Sequence, residues 1–184
     1  MIFISSGHHL GSQKQKQDLG AVGNGLQENN VTVEFRDFVC RELDSLGAKY
    51  IKDSNDEPLA TYLKRIKTGN ASVVIEFHCD AFSNPSAEGS TAVIGSDADK
   101  NDKAFAKEIN DAFCTILGTR NRGVISEAQT HRGRLGLMRE SGIVMLQEMF
   151  FISNKKDVEK YNLNKEKLAK VVAGIIVKYE ALIG

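Results

Sequence analysis

The chain has 184 residues, which is enough for one compact domain with a sizeable core. Hydrophobic residues make up 41% and charged residues 26%, which is the balance of an ordinary globular protein. Lys+Arg and Asp+Glu are equal at 24 each, so there is no basic excess for general nucleic-acid binding, and no apolar run approaches the roughly 20 residues of a membrane span.

The predicted secondary structure alternates between strands and helices. In the helical segments apolar residues recur every three or four positions, whereas residues 72–78 form a nearly continuous apolar run, typical of a strand covered on both faces. The predicted order is strand 2–5, polar loop 11–25, helix 29–46, strand 48–52, helix 58–67, strand 72–78, strand 91–94, helix 105–117, strand 143–149 and helix 168–182. This alternation predicts a single α/β domain over residues 1–184, with a largely parallel twisted sheet flanked by helices on both faces.

Polar side chains stand at the carboxyl ends of three predicted strands, namely His8, His78 and Glu148. A fourth polar residue, Glu28, comes just before the first long helix. Open α/β sheets bind ligands beyond the carboxyl ends of their strands, so we expect these side chains to converge. A catalytic zinc ion takes three protein ligands and a water molecule, with a carboxylate nearby to move protons. Two histidines and two glutamates therefore favour a zinc hydrolase site.

Spacing alone leaves a simpler interpretation open for each of these residues. Either His8 or His9 is the candidate ligand, and both are also compatible with a plain loop. His78 is equally compatible with a hydrogen-bonded core histidine, and Glu28 with a first-turn glutamate that complements the helix dipole. Glu148 is the hardest to explain without a function, because an unpaired carboxylate in an apolar strand is costly.

Strand alternation sorts the neighbours of His78. Glu76 and Asp80 are predicted to face the same side as His78, which makes Asp80 a candidate contact of the site. Cys79 is predicted to face the other side and is therefore a poor companion ligand. The three cysteines are widely spaced and odd in number, which favours buried free thiols over disulfides.

Several short motifs follow one another along the chain. They are Gly7-His8, the glycine-rich stretch 20–29 with Glu28, Arg65 and Asn70 before Phe77-His78-Cys79-Asp80-Ala81, Asn121-Arg122-Gly123-Val124, and Glu148 before Phe151-Ile152-Ser153-Asn154. In this order they resemble the catalytic domain of the type-3 zinc N-acetylmuramoyl-L-alanine amidases, and the last motif is the most specific. The sequence departs from the family pattern where Ser5-Ser6 replaces an aspartate before Gly-His, where His9 and Leu10 replace glycines, and where Asp80 replaces an asparagine.

The resemblance implies a function for each of the four candidate residues. His8, Glu28 and His78 are implied as ligands of one zinc ion per chain, and Glu148 as the catalytic carboxylate that accepts a proton from water. The implied substrate is bacterial peptidoglycan, cleaved at the amide between the lactyl group of N-acetylmuramic acid and the L-alanine of the stem peptide. The alternatives are another zinc peptidoglycan peptidase or a non-catalytic cell-wall-binding module; the latter would be expected to lack one of the four residues.

A polar segment at 126–136 carries two further candidates, Arg132 and Arg134. Arginine binds carboxylates in a bidentate way, so both are interpreted as contacts for stem-peptide carboxylates, and a solvated surface loop is the simpler alternative. We expect a monomer whose partner is peptidoglycan. Residues 1–7 have neither a basic region nor a long apolar run, so we expect no signal peptide and a protein that acts at the cell wall after release as a phage-type lysin.

Overall fold

The computed structural model describes residues 1–13, 15–130 and 133–184. Strands and helices alternate along the chain as the sequence predicts. In chain order the elements are β1 (Ile2–Ser6), β2 (Val22–Gly23), β3 (Leu26–Gln27), α1 (Glu28–Ser45), β4 (Tyr50–Lys52), α2 (Leu59–Arg65), β5 (Val73–Asp80), β6 (Ser90–Ile94), α3 (Lys100–Leu117), β7 (Asn121–Ser126), β8 (Ile143–Phe151) and α4 (Lys155–Ile183). Two short 3-10 helices, Glu127–Gln129 and Leu137–Arg139, lie between β7 and β8.

The main sheet has six strands in the order β4-β1-β5-β8-β6-β7. Strands β4, β1, β5 and β8 are mutually parallel, β6 is antiparallel to β8, and β7 is parallel to β6. The predicted largely parallel α/β sheet is thus confirmed, with two strands reversed at one side. Strands β5 and β8 lie at the centre of this sheet, and their apolar residues are buried because both faces are covered.

Helices cover both faces of the sheet. On one face α4 packs against α1 and α3, and an aromatic group joins them to the sheet, with Phe35 and Phe77 ring centroids 4.9 Å apart and Phe150 stacked on Tyr161 at 4.7 Å. On the other face α2 and the second 3-10 helix form a smaller core around Tyr62. None of the helices within the described ranges is both long and apolar enough to cross a membrane.

The observed strands and helices differ from the predicted ones in polar segments, where no apolar pattern indicates regular structure. The polar loop contains the β2–β3 hairpin, and β7 is absent from the prediction because its residues are exposed or only partly buried. Helix α4 begins at Lys155, well before the apolar pattern at 168, with Asn154 as its N-cap. The predicted end of α1 is confirmed, since Gly47 adopts a left-handed conformation (φ 67°) just after it.

Candidate metal centre

The carboxyl ends of β1 and β5 and the start of α1 meet at one edge of the sheet. Strands β1 and β5 are parallel neighbours, and the Gly7 amide continues their pairing by donating to the Phe77 carbonyl at 2.7 Å. His8 therefore emerges beside His78, while Glu28 is the first residue of α1. One potential ligand atom from each of these three residues lies within 4.8 Å of the other two. The convergence expected from the strand ends is therefore present.

The Glu28 carboxylate lies between the two imidazole rings. Its Oε1 is 3.0 Å from His78 Nδ1, and its Oε2 is 3.3 Å from His8 Nε2. Backbone amides of Ala21 and Cys79 also donate to it, at 2.7 and 2.9 Å. The carboxylate is 1% exposed, so protein groups replace nearly all of its hydration. These contacts fix both oxygens in place.

Two glycines leave the space that the site requires. A Cβ atom on Gly7 would lie 2.4 Å from Cε1 and Nδ1 of His78, closer than real Cβ contacts allow. A Cβ on Gly20 would lie 2.5 Å from Glu28 Oε2 and from His8 Cδ2, and Gly20 also has a positive φ of 64°. The glycines of the Gly-His turn and of the following loop therefore have a steric reason to be glycine.

A buried ion pair supports the turn that carries His8. The Arg36 side chain is fully buried, and its Nη1 donates to Asp53 Oδ1 at 2.7 Å. The other oxygen of Asp53 accepts hydrogen bonds from the amide and the hydroxyl of Ser6, at 3.1 and 2.9 Å. Thr32 of α1 donates to the Gly7 carbonyl at 2.7 Å. This network fixes the carboxyl end of β1 and hence the direction in which His8 leaves it.

Electrostatics favour a charged carboxylate between the two rings. Burial alone would raise the pKa of Glu28, but its contacts with His78 and His8 hold that pKa well below its ordinary value. Burial would lower the pKa of His78, yet hydrogen bonds to Glu28 and Glu76 raise it to about 10. The site thus stabilises positive charge next to Glu28, which is a property that a cation site needs.

The ring nitrogens of His8 give an independent test of whether the site fits a metal. Nδ1 is 2.9 Å from Asp18 Oδ2 and Nε2 is 3.3 Å from Glu28 Oε2, but both nitrogens are buried and neither contact satisfies hydrogen-bond geometry. In a tetrahedral zinc site, ligand atoms at roughly 2.0–2.2 Å from the metal lie about 3.4 Å from one another. The His8–Glu28 separation matches that spacing, so the donor set fits zinc.

Glu148 lies beside His78 on the neighbouring strand. The two residues are directly paired in the register of β5 and β8, so their side chains project from the same face. Glu148 is half-buried and lines a groove of about 680 Å³ that also contacts Asp80, Phe82 and Arg122. Strand β8 runs on to Phe151, so Glu148 lies within the strand rather than at the predicted end. The strand continues because it stays paired with β5.

The sequence profile of the N-acetylmuramoyl-L-alanine amidase family matches residues 2–178. The chain belongs to this family, the type-3 amidases. Over 185 residues it is 28% identical to the N-acetylmuramoyl-L-alanine amidase LytC of Bacillus subtilis, an alignment that covers 97% of the chain and 35% of LytC. The chain therefore spans about a third of the length of that relative.

Two solved structures share the type-3 amidase fold of this chain. The N-acetylmuramoyl-L-alanine amidase from Clostridium difficile 630 superposes with a TM-score of 0.80 at 18% identity, covering 100% of this chain and 97% of that one. The catalytic domain of an endolysin targeting Clostridia Difficile superposes with a TM-score of 0.71 at 23% identity, covering 96% of each chain. These two structures confirm the predicted fold class, and the profile match over residues 2–178 confirms the family resemblance.

Of the two arginine candidates, the structure describes only Arg134. Arg134 is exposed and does not line the groove, and Arg132 lies outside the described residues. The groove contains Arg122 instead, whose guanidinium lies 5.0 Å from the centroid of the Phe151 ring. Arg122 belongs to the Asn-Arg-Gly-Val motif of the type-3 amidase family, and this motif is the sequence feature that could have identified it as a site residue.

Two carboxylates that contact the histidines had no predicted function. Asp18 Oδ2 lies 2.9 Å from His8 Nδ1, and Glu76 Oε1 lies 2.9 Å from His78 Nε2. Strand alternation did place Glu76 on the face of His78, and that prediction is confirmed. Cys79 packs with the apolar core of the opposite face, as predicted, and all three cysteines are buried free thiols.

Proposed function

We propose that residues 1–184 form one catalytic domain that hydrolyses peptidoglycan at the amide between the N-acetylmuramic acid lactyl group and L-alanine. The observation that carries the proposal is the convergence of His8, Glu28 and His78, with Glu148 in register beside His78, in a member of the type-3 amidase family. The relatives with this name give the bond that is cleaved. The substrate places the protein's action at the bacterial cell wall.

One zinc ion per chain is the proposed cofactor, held by His8, Glu28 and His78. Two neutral imidazole nitrogens and one carboxylate oxygen are a common ligand set for a catalytic zinc with an open fourth position. When bound, zinc supplies Lewis acidity, which activates a water molecule near neutral pH and polarises the scissile carbonyl. His8 is proposed rather than His9 because only His8 belongs to the described three-residue cluster.

Glu148 is the proposed general base. In the peptidoglycan amide, the oxygen of water adds to the lactyl carbonyl carbon, the C–N bond breaks, and the L-alanine nitrogen leaves as an amine. The Glu148 carboxylate accepts a proton from the attacking water and delivers it to the departing nitrogen. Its position opposite His78 puts it beside the metal ligands, and its half-buried state leaves it facing the groove.

The groove beside Glu148 is the proposed binding site for the stem peptide. It combines apolar surface from Phe82 and Phe151 with the positive charge of Arg122. Stem peptides carry carboxylates, which guanidinium groups bind in a bidentate way. Arg132 and Arg134 stay proposed as further contacts for stem-peptide carboxylates.

The product of digestion tests the proposed bond. Purified peptidoglycan treated with the zinc-loaded protein is expected to release stem peptides with a free L-alanine amino group and to leave the glycan strands intact. Mass spectrometry with amino-group labelling measures this directly. New reducing sugar ends, or new amino groups only within the peptide, would contradict the amidase proposal and indicate a glycosidase or a peptidase.

Two isosteric variants separate the proposed base from the proposed ligands. Glu148→Gln is expected to fold, to keep one zinc per chain and to lose about 10²–10⁴-fold in turnover, because the amide cannot accept the proton. Glu28→Gln is expected to lose zinc together with activity. Metal analysis and turnover of both proteins give the comparison. If Glu148→Gln kept wild-type turnover, or lost zinc as Glu28→Gln does, Glu148 would not be the base.

A further inference from the structure

Glu76 is a buried carboxylate in the middle of β5 with no function in the proposed reaction. It is 2% exposed, so its charge must be compensated by protein groups. Its Oε1 lies 2.9 Å from Nε2 of His78, and its Oε2 accepts a hydrogen bond from the Ser5 hydroxyl at 3.0 Å. Ser5 and Glu76 are register partners on β1 and β5, so the two strands hold this contact in place.

The position of Glu76 determines which nitrogen of His78 is available. An imidazole that donates its Nε2 hydrogen to a carboxylate carries its lone pair on Nδ1. In this site Nδ1 is the nitrogen that faces Glu28, at 3.0 Å from Oε1, and therefore the nitrogen that faces the three-residue cluster. Histidine ligands usually donate their second N–H to such a partner, which sets both the ring orientation and the ligand strength.

The second histidine is supported differently. The carboxylate partner of His8 is Asp18, whose side chain is 56% exposed and lies in the loop before β2. Water competes for that contact, whereas Glu76 has almost no contact with solvent. Of the two carboxylates, Glu76 is therefore the one whose orientation is fixed by the sheet.

We propose that Glu76 is a positioning residue of the metal centre, which holds the Nε2 hydrogen of His78 and so directs the Nδ1 lone pair of His78 at the zinc ion. This inference rests on the proposed zinc function. The chain of contacts runs from Ser5 through Glu76 and His78 to the metal position. Glu76 touches neither the substrate nor the metal, and it acts only through His78.

The test compares Glu76→Gln with Glu127→Gln. Glu127 is a matched control, since it is also 2% exposed and, among the described residues, its carboxylate binds the Leu135 amide and Arg139 rather than the proposed ligands. Zinc affinity is measured by competition with a chromophoric chelator, and the visible absorption of the Co²⁺-loaded proteins reports the coordination. Neither measurement depends on activity. Glutamine keeps the size of Glu76 but removes its charge. Because its amide group can donate to Nε2 as well as accept from it, the hydrogen of His78 is no longer held on Nε2.

Glu76→Gln is expected to weaken zinc binding by about 10–100-fold and to change the Co²⁺ spectrum, because the ligand loses its carboxylate partner. Glu127→Gln is expected to keep the wild-type zinc affinity and spectrum. Ser5→Ala, which keeps the carboxylate but removes one of its contacts, is expected to weaken zinc binding less, by about 2–10-fold. If Glu76→Gln does not fold, the zinc affinity of Ser5→Ala tests the positioning role instead.

The outcomes separate this inference from the proposed function. If the wild-type protein binds no stoichiometric zinc, the proposed function is wrong. If the wild-type protein binds zinc and Glu76→Gln binds it equally well with an unchanged Co²⁺ spectrum, the positioning role is overturned while the proposed function stands. The positioning role is also overturned if Glu76→Gln has a lower melting temperature but an unchanged zinc affinity. If Glu76→Gln does not fold, an unchanged zinc affinity of Ser5→Ala overturns the positioning role.

Discussion

Substituting Gly7 by alanine tests whether the geometry of the site requires a residue without a side chain at position 7. A Cβ atom at this position would meet three atoms of the His78 ring, at 2.4, 2.4 and 2.6 Å. Carbon contacts are favourable at about 3.5–4.0 Å, so the ring and the turn must separate by about 1 Å. Gly7 does not have a positive φ, so the substitution changes the packing without imposing a left-handed backbone on alanine.

The His78 ring cannot move by that distance without losing partners. It is 5% exposed, and its two nitrogens contact Glu28 and Glu76 at 3.0 and 2.9 Å. We therefore expect Gly7→Ala to weaken zinc binding by about 10–100-fold. Turnover is expected to fall by about 10²-fold, the effect of a 1 Å misplacement. The crowding is expected to cost about 1–3 kcal/mol of unfolding free energy.

Two other glycines provide the controls. Gly25 has a φ of 77° and nothing within 4 Å of its added Cβ, so Gly25→Ala isolates the backbone cost of about 1–2 kcal/mol and should leave zinc affinity unchanged. Gly20→Ala combines a positive φ with a clash against Glu28 and should lose both stability and zinc. Chelator competition and urea unfolding measure the two quantities. Wild-type zinc affinity in Gly7→Ala would refute the reasoning.

Three further predictions follow from the contacts around the site. Asp53→Ala removes the buried carboxylate partner of Arg36, which then keeps only the partly exposed Asp37 as its ion-pair partner in the described part of the chain. This variant is expected to cost about 3 kcal/mol in urea unfolding, whereas a loss below about 1 kcal/mol would show that the Arg36–Asp53 ion pair is not needed. Removing zinc with a chelator is expected to lower the melting temperature, because a ligand at 1,000 times its Kd stabilises the folded protein by about 4.1 kcal/mol. An unchanged melting temperature would argue against the metal centre. Asp18→Asn is expected to weaken zinc binding only roughly threefold, because Asp18 is largely exposed, and an effect as large as that of Glu76→Gln would contradict the ranking of the two carboxylates.

The parts of the fold with regular apolar patterns were predictable from the sequence. The continuous apolar run at 72–78 identifies β5, and helical spacing identifies α1 and α3, because burial on defined faces imposes those periods. Strand β7 has an exposed and partly buried sequence at the edge of the sheet, where no burial pattern is required. The reversal of β6 also lacks a sequence signal, because the apolar pattern of a strand is the same in both directions.

The clustering of the candidate residues was predictable from the sequence, whereas their functions stay predictions. His8, Glu28 and His78 follow from strand ends and the family resemblance, and the described structure brings them together. The contact between Glu76 and His78 depends on the direction of a side chain within β5. The contact between Asp18 and His8 depends on the course of the loop before β2. Strand alternation indicates that Glu76 shares a face with His78, but only the structure shows the contacts that the two carboxylates make with the histidines.

The central position of β5 and β8 has a consequence for hydrogen exchange. Each of these two strands is paired on both sides within a six-stranded sheet, so its amides are expected to exchange only through global unfolding. His78 and Glu148 stand on these two strands, whereas Asp18 and Gly20 stand in the segment before β2, which can open locally at lower cost. In a metal-free protein, exchange should therefore be slow around His78 and faster in the segment before β2. We therefore expect zinc to exchange through local opening near His8 while the sheet stays closed.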